Sequence, residues 1–156
     1  MRSLSIFLLA GITACAVAST ANIAYAQSAE IVTAPNPDSL EQYAATELQR
    51  YLKQLFDVSA PIVSIPSVVD YRFYIATSAN ASGESCPVAN VPELSDQGFL
   101  LRGLSWKDKP TFIIIGGTPV ATLWGVYELA ERYGVRYLLS GDVFPPKPGP
   151  LFFPKV

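Results

Sequence analysis

The sequence has 156 residues, of which half are apolar, 11 are basic, 13 are acidic and none is histidine. This length fits a single domain, and the slight acidity argues against a nucleic-acid binder, because phosphate contacts need clustered Lys and Arg. The absence of histidine excludes Ser-His-Asp and Cys-His catalytic arrangements, imidazole general bases and most zinc sites.

Residues 1–26 have the pattern of a signal peptide. Arg2 supplies a basic start, residues 4–17 form an apolar run, and Ala24-Tyr25-Ala26 is a small-x-small cleavage site. The same run contains Ile12-Thr13-Ala14-Cys15, which resembles a bacterial lipoprotein box with Cys15 as the acylated residue. The cleavage site favours the ordinary signal peptide, and either signal predicts a secreted or periplasmic protein.

The mature chain is predicted to begin near Gln27 and to fold without a disulfide. It keeps 10 basic and 13 acidic residues, which gives a net charge of −3. Its sole cysteine is Cys86, so no intramolecular disulfide can form. No other apolar stretch approaches the roughly 20 residues of a membrane helix, so we expect no transmembrane segment in the mature chain.

The first half of the mature chain predicts a strand, a helix and two more strands. Residues 30–34 form a short, apolar-rich segment that precedes Pro-Asn-Pro, as at a strand end. Asp38 and Glu41 have the spacing of a capping box, and a 3.6-residue apolar period follows. Residues 61–65 and 71–76 are β-branched or aromatic, as in strands. The buried helix face is predicted to comprise Leu40, Tyr43, Ala44, Leu48, Tyr51, Leu52 and Leu55.

The middle of the chain predicts a loop and then a hairpin. Residues 77–96 are rich in Ser, Asn, Gly and Pro and show no period, so we expect an exposed loop. Residues 97–102 and 111–115 are predicted to be two strands joined by a polar turn at 107–110, which favours an antiparallel hairpin. Because 112–115 is apolar on both faces, this strand is expected in the middle of the sheet.

A second helix and a last strand complete the predicted elements. Thr118 is the expected N-cap, Pro119 occupies the first helical position, and Gly134 is the expected left-handed cap. Residues 135–139 are the last predicted strand, and a proline-rich tail begins at Val143. The buried stripe of the helix is predicted to comprise Val120, Leu123, Trp124, Tyr127 and Ala130.

These elements follow the order β-α-β-β-β-β-α-β and predict an α/β (α+β) fold. With many strands and two helices, the economical layout is a mixed β-sheet with both helices on one face. Three tail phenylalanines show no period, so we expect them on an exposed surface rather than in the core. They are Phe144, Phe152 and Phe153.

Six short motifs follow one another along the mature chain. They are AATELQRYL at 44–52, FYIA at 73–76, GFLLR at 98–102, LWGVYEL at 123–129, YGVRYL at 133–138 and GDVFP at 141–145. The ordered set resembles the non-catalytic N-terminal domain of α-glucuronidases and the related second domain of β-hexosaminidase-type glycoside hydrolases. The resemblance covers nearly the whole mature chain.

The resemblance implies an accessory domain of a secreted hydrolase that degrades polysaccharides such as xylan. In that family a catalytic barrel follows the domain, so 27–144 is expected to be the domain and 145–156 a tail or truncated linker, without the barrel. The barrel is the implied partner, with polysaccharide as a second candidate, and this chain alone is expected to be inactive. The alternative is a stand-alone extracytoplasmic module that binds a carbohydrate or a protein.

The residues themselves suggest no catalytic, cofactor-binding or metal-ligating group, and no cofactor is predicted. Glycosidases need two carboxyl groups about 5 to 10 Å apart across the sugar, whereas Glu128 and Glu131 share one helix face and are expected to be solvated. The Gly116-Gly117-Thr118 junction can offer amides to an anion, but it lacks a nucleotide-binding fingerprint, so a tight turn is expected. Trp106 is expected to pack rather than stack on a sugar. Arg136 is expected to be structural, pairing with Glu128 or Glu131 or facing the barrel.

Overall fold

A computed structural model describes residues 27–82, 86–147 and 149–156. The predicted signal peptide, including Cys15, lies outside the described residues. Among the helices described, none is long and apolar enough to cross a membrane. The described elements are, in order, β1 (Ala29–Thr33), α1 (Ser39–Phe56), β2 (Ile62–Val63), β3 (Tyr71–Thr77), β4 (Phe99–Trp106), β5 (Lys109–Gly116), α2 (Pro119–Arg132), β6 (Arg136–Leu138) and β7 (Gly141–Val143).

Five of these strands form one mixed sheet in the spatial order β2-β1-β3-β5-β4. Strands β2, β1, β3 and β5 run parallel, and β4 pairs antiparallel with β5 at the edge. Both helices pack on the same face, against Phe73, Ile75, Phe112 and Ile114. The predicted fold class, helix placement and β4–β5 hairpin are therefore confirmed.

The last predicted strand lies outside this sheet. Residues Arg136–Leu138 pair antiparallel with Gly141–Val143 in a separate two-stranded ribbon. Gly141 has a φ of 121°, a conformation that side chains strongly disfavour, and it lets the chain reverse here. The ribbon adds β7 to the predicted order.

Helix α1 has the predicted capping box. The Asp38 carboxylate accepts from Leu40 N at 2.8 Å, and Glu41 Oε2 accepts from Asp38 N at 2.8 Å. The predicted buried face is right for most positions but wrong for Tyr43, which is 48% exposed. Glu47, which is not part of the predicted buried face, is buried beside Arg50, to which it is paired.

Helix α2 begins at the predicted N-cap, but its buried face is displaced from the predicted stripe. Val120 and Trp124 are 44% and 41% exposed, so placing them in the core was wrong. The cause is Gly125: a Cβ there would lie 2.9 Å from Ile114 Cγ2. The helix approaches the sheet along its small residues and turns the tryptophan outward. The buried residues are Ala121, Thr122, Gly125, Val126, Leu129 and Ala130.

The segment between β3 and β4 covers the other face of the sheet. The expectation of an exposed loop is wrong for Ala81 and Val88, which pack in a second core with Tyr74 and Ile113. The physical reason lies in the parallel strands, which are apolar on both faces and need a cover on each. Because one face carries the helices, the long loop covers the other.

The C-terminal segment packs against the helix-side core. Leu151 is 2% exposed, and the ring of Phe153 lies 5.4 Å from the rings of both Phe73 and Phe112. Phe144 is also partly buried, with its ring 6.0 Å from that of Tyr51. The expectation of exposed tail phenylalanines is thus wrong for Phe144 and Phe153, whereas Phe152 is 43% exposed.

We expect Leu151→Ala to lower the free energy of unfolding by about 2 to 5 kcal/mol, as for other buried leucines. Val156→Ala is the matched control, because Val156 is 58% exposed and should change stability by less than about 0.5 kcal/mol. Urea unfolding followed by circular dichroism measures both. Equal midpoints for the two variants would show that the tail does not contribute to the core.

Candidate functional site

The two helical carboxylates do not form a catalytic pair in the fold. Glu128 forms an ion pair with Arg132 at 2.8 Å, one turn further along α2, and Glu131 is exposed. Both lie on the outer surface of one helix, so they cannot flank a sugar. Within the described ranges no group of three or more Cys, Asp or Glu residues is arranged to hold a metal ion.

The Gly116-Gly117-Thr118 junction is covered by residues 95–98. A Cβ on Gly117 would lie 2.0 Å from Ser95 O, and the Gly117 amide donates to Gly98 O at 2.8 Å. Thr118 Oγ1 donates to Asp96 O at 2.7 Å and accepts from Ala121 N at 3.3 Å. The Gly117 and Ala121 amides are therefore engaged, and the contacts are those of a tight turn.

Trp106 packs on the second face of the sheet. Its ring lies 6.0 Å from the Tyr74 ring, edge to face, and the Arg72 guanidinium carbon lies 5.1 Å from its centre. The side chain is half-buried, with Lys107 Nζ 5.0 Å from the ring centre. This is the packing role predicted for it.

Arg136 caps the end of α2. Its Nη1 donates to the carbonyl oxygens of Val135 at 2.9 Å and Glu131 at 3.2 Å. A cation is favourable there because the helix C-terminus carries partial negative charge. Pairing with the carboxylates of Glu128 or Glu131 is not what the structure shows, since the partners are main-chain oxygens.

A buried ion pair joins β1 to β3, and the sequence analysis missed it. Arg72 Nε lies 2.6 Å from Glu30 Oε1, and both side chains are at most 2% exposed. Ser67 donates to Glu30 from its amide and its hydroxyl, at 2.9 and 2.7 Å. The other guanidinium nitrogens donate to the carbonyls of Trp106 and Ser67. In the sequence, the signal for this pair was one acidic residue, Glu30, in the apolar strand β1 and one basic residue, Arg72, in the apolar strand β3.

These hydrogen bonds set the pKa of Glu30. Burial by itself raises the pKa of the carboxyl group, but the bonds from Ser67 and Arg72 outweigh burial and leave the pKa below its ordinary value. The carboxylate therefore contributes stability that is fully present above the unfolded pKa near 4.5 and is lost as the pH falls through the folded pKa.

We expect Glu30→Gln to lower the free energy of unfolding at pH 7 by about 3 to 5 kcal/mol, because Arg72 would stay buried without its countercharge. The double variant Glu30→Gln/Arg72→Met is the control and should lose less. Denaturation should also be measured at several pH values. As the pH falls below 4.5, the free energy of unfolding should decrease less in the single variant than in the wild type, because the variant has no Glu30 carboxylate to protonate. An additive double variant would contradict the coupling of the two charges.

Glu41 is a second buried carboxylate that joins two elements. Glu41 caps α1. In addition, its Oε1 accepts from Thr77 N at 2.8 Å and from Asn80 Nδ2 at 3.0 Å. The start of α1 is thereby fixed to the end of β3. The capping-box pattern predicted Glu41 at this helix end, but its long-range partners are a product of the fold.

The β6–β7 ribbon is fixed to α1 by a polar contact. Asp142 Oδ2 lies 2.8 Å from Arg50 Nη2 and accepts from the Tyr51 hydroxyl at 3.2 Å. Burial raises the pKa of Tyr51 well above its ordinary value, so its hydroxyl stays neutral and donates. Tyr137 of the ribbon donates to Tyr127 O of α2 at 3.1 Å.

Large apolar side chains remain exposed on this side of the molecule. Val120 and Trp124 are one turn apart on α2, and Leu139 at the tip of the ribbon is fully exposed. We call the exposed apolar residues of the two helices and the ribbon the helix-side apolar surface. They are Tyr43, Val120, Trp124, Tyr137, Leu138, Leu139 and Val143.

An open groove of about 420 Å³ lies beside α1. Its charged and amide side chains are already paired: Lys53 with Asp57 at 2.7 Å, Arg50 with Asp142, and Gln49 Nε2 with Ala60 O at 2.7 Å. The groove thus offers few free polar groups. Its lining residues are Thr46, Gln49, Arg50, Lys53, Val58 and Ser59.

The described residues thus define an α/β domain with a closed core, an apolar outer surface and no assembled catalytic pair. The sequence profile of the glycosyl hydrolase family 67 N-terminus matches residues 15–129, a stretch that starts inside the predicted signal peptide. The match spans most of the chain, which therefore belongs to this family of N-terminal domains. The predicted resemblance to the N-terminal domain of α-glucuronidases is confirmed.

One similar solved structure is a family GH115 4-O-methyl-α-glucuronidase with specificity for decorated arabinogalactans. It shares 18% identity, with a TM-score of 0.54 over 70% of this chain. At that identity the likeness shows the fold. The chain spans 14% of that protein's length. A search of curated proteins finds no match. The family match therefore makes the chain an accessory domain of the glycoside-hydrolase type.

Proposed function

We propose that this chain is the non-catalytic accessory domain of a secreted α-glucuronidase-like glycoside hydrolase. In this role it holds a catalytic barrel, in the same polypeptide or on another chain, and performs no chemistry itself. The family membership is the observation that carries the proposal. The sequence of residues 1–26, with its cleavage site, supports export.

The helix-side apolar surface is the proposed contact with the barrel. Domain interfaces commonly bury about 600 to 1,500 Å², and exposed apolar patches mark such contacts. Trp124 is well suited as an anchor because aromatic residues are enriched at interfaces, and Leu139 is fully exposed and would be covered with it. The ribbon that carries Leu139 is fixed to α1 through Asp142, so this surface is held in place before docking.

The proposed substrate of the complete enzyme is a polysaccharide that bears glucuronic acid, such as xylan. The name of the similar solved structure supports a glucuronidase context, since it is an α-glucuronidase acting on decorated arabinogalactans. The choice of sugar would then rest with the barrel. Contacts of this domain with the polysaccharide are not required.

We expect Leu139→Asp to weaken binding of the chain to a family 67 catalytic barrel, supplied as a separate protein, at least tenfold. A buried carboxylate without a partner is costly at an interface. Val68→Asp is the matched control, because Val68 is also an exposed apolar loop residue, at 89%, but lies outside this surface. Titration calorimetry measures both, and equal affinities for the two variants would remove this surface from the interface.

We also expect the chain alone to hydrolyse neither an aryl α-glucuronide nor a glucuronoxylan fragment. Glu128 and Glu131 share one helix face and cannot act from both sides of a glycosidic bond. Release of sugar or aryl alcohol is measured for the wild type and for Glu128→Gln and Glu131→Gln. Turnover that co-purifies with the chain and disappears in either variant would refute the non-catalytic role.

The alternative is a stand-alone extracytoplasmic binding module for a carbohydrate or a protein. The packed C-terminal segment favours it, because Leu151 and Phe153 complete the core without a partner. The α1 groove is the place where this alternative puts a sugar. Affinity for xylan oligosaccharides that Arg50→Ala abolishes, together with no affinity for a barrel, would support it over the accessory role.

A further inference from the structure

The two edges of the main sheet differ in how well they are protected. Strand β2 is two residues long, Ile62–Val63, and lies between Pro61 and Pro66. Strand β4 is eight residues long, contains no proline, and pairs with β5 on one side. No described segment pairs with its other side. Long unprotected edge strands are templates for pairing with another strand.

The hydrogen-bond pattern of the hairpin shows which main-chain groups of β4 point outward. Gly117 N donates to Gly98 O at 2.8 Å, and a two-residue turn with positive φ at Lys107 and Asp108 closes the other end. Such a turn makes its flanking residues a hydrogen-bonded pair. With the observed register, the even-numbered residues 100–106 bond to β5. The amides and carbonyls of Phe99, Leu101, Gly103 and Ser105 therefore face away from the sheet.

The side chains of β4 also indicate an incomplete environment. Its five apolar side chains are all half-buried, whereas every residue of β5 from Thr111 to Gly116 is buried. At Gly103, nothing lies within 4 Å of the Cβ position. A further strand beside β4 would cover both its main-chain edge and these side chains. The five are Phe99, Leu100, Leu101, Leu104 and Trp106.

We propose that β4 pairs antiparallel with β4 of a second copy of this chain, with Gly103 on the two-fold axis. In this register Leu100 faces Trp106, Leu101 faces Ser105, and Arg102 faces Leu104 of the second copy. Centring the pair on Arg102 instead would place two like charges opposite each other, which is unfavourable. Among the registers that join outward-facing groups and avoid this repulsion, the one centred on Gly103 gives β4 its longest overlap. The two sheets become one continuous sheet of ten strands.

The first test compares Gly103→Pro with Gly103→Ala in the full chain. Proline removes an outward amide and leaves the β4–β5 ladder intact, because Gly103 makes no ladder bond to β5. Alanine fits the open space and keeps the amide. By sedimentation over a range of concentrations, we expect the wild type and Gly103→Ala to form dimers and Gly103→Pro to dimerise at least tenfold more weakly.

The second test reads the register by disulfide formation in a Cys15→Ser/Cys86→Ser background. Gly103→Cys places two cysteines opposite each other, with Cα atoms about 5.5 Å apart, which a disulfide spans. Ser105→Cys is the control, since its two copies would lie four residues apart along the strands, roughly 13 Å. We expect mild oxidation to cross-link Gly103→Cys and not Ser105→Cys.

Three results would overturn the proposal. One is a wild-type chain that stays monomeric at every concentration. Another is a dimer that survives Gly103→Pro but is lost in Leu139→Asp, which would place the contact on the helix-side apolar surface. The third is a monomer whose Leu101, Gly103 and Ser105 amides are protected from hydrogen exchange, which would mean that another segment of the chain pairs with β4.

Discussion

The central strands β1, β3 and β5 are buried on both faces, and the rest of the domain is arranged around that constraint. A strand without a solvent-facing side needs two covers, so α1 and α2 lie on one face and the segment between β3 and β4 lies on the other. The C-terminal segment fills the remaining gap next to Phe73 and Phe112. Each cover depends on a close approach, as at Gly125, where a methyl group would already meet Ile114.

The same constraint explains why the buried charges Glu30, Arg72 and Glu41 are held by hydrogen bonds. A charge in such a strand is costly unless it is paired and hydrogen-bonded. Glu30 and Arg72 meet this condition through each other, Ser67 and the Trp106 carbonyl. Glu41 meets it by joining the start of α1 to the end of β3. These contacts tie distant parts of the chain together.

The described part of the fold leaves two notable surfaces uncovered. The first surface consists of exposed apolar side chains of α1, α2 and the β6–β7 ribbon, which the proposed function assigns to the barrel. The second is the main-chain edge of β4, which the dimer proposal assigns to a second copy. The two surfaces use different physics, side-chain burial in one case and main-chain hydrogen bonding in the other.

The sequence by itself determined the two helices, the five strands of the main sheet and the fold class, but not β7. Local signals carried these results: the Asp38–Glu41 capping box, the Thr118-Pro119 helix start, and a fully apolar stretch in β5. The six ordered motifs likewise indicated the family, which the profile match confirms.

Only the tertiary structure decided which faces are buried, because that depends on partners far away in sequence. Trp124 belongs to an apolar period but faces outward, since Gly125 sets how closely α2 approaches the sheet. Residues 77–96 look like a solvent-facing loop until the second face of the sheet requires a cover. Glu30 and Arg72 lie 42 positions apart, and no local pattern reveals that β1 and β3 are neighbours in space.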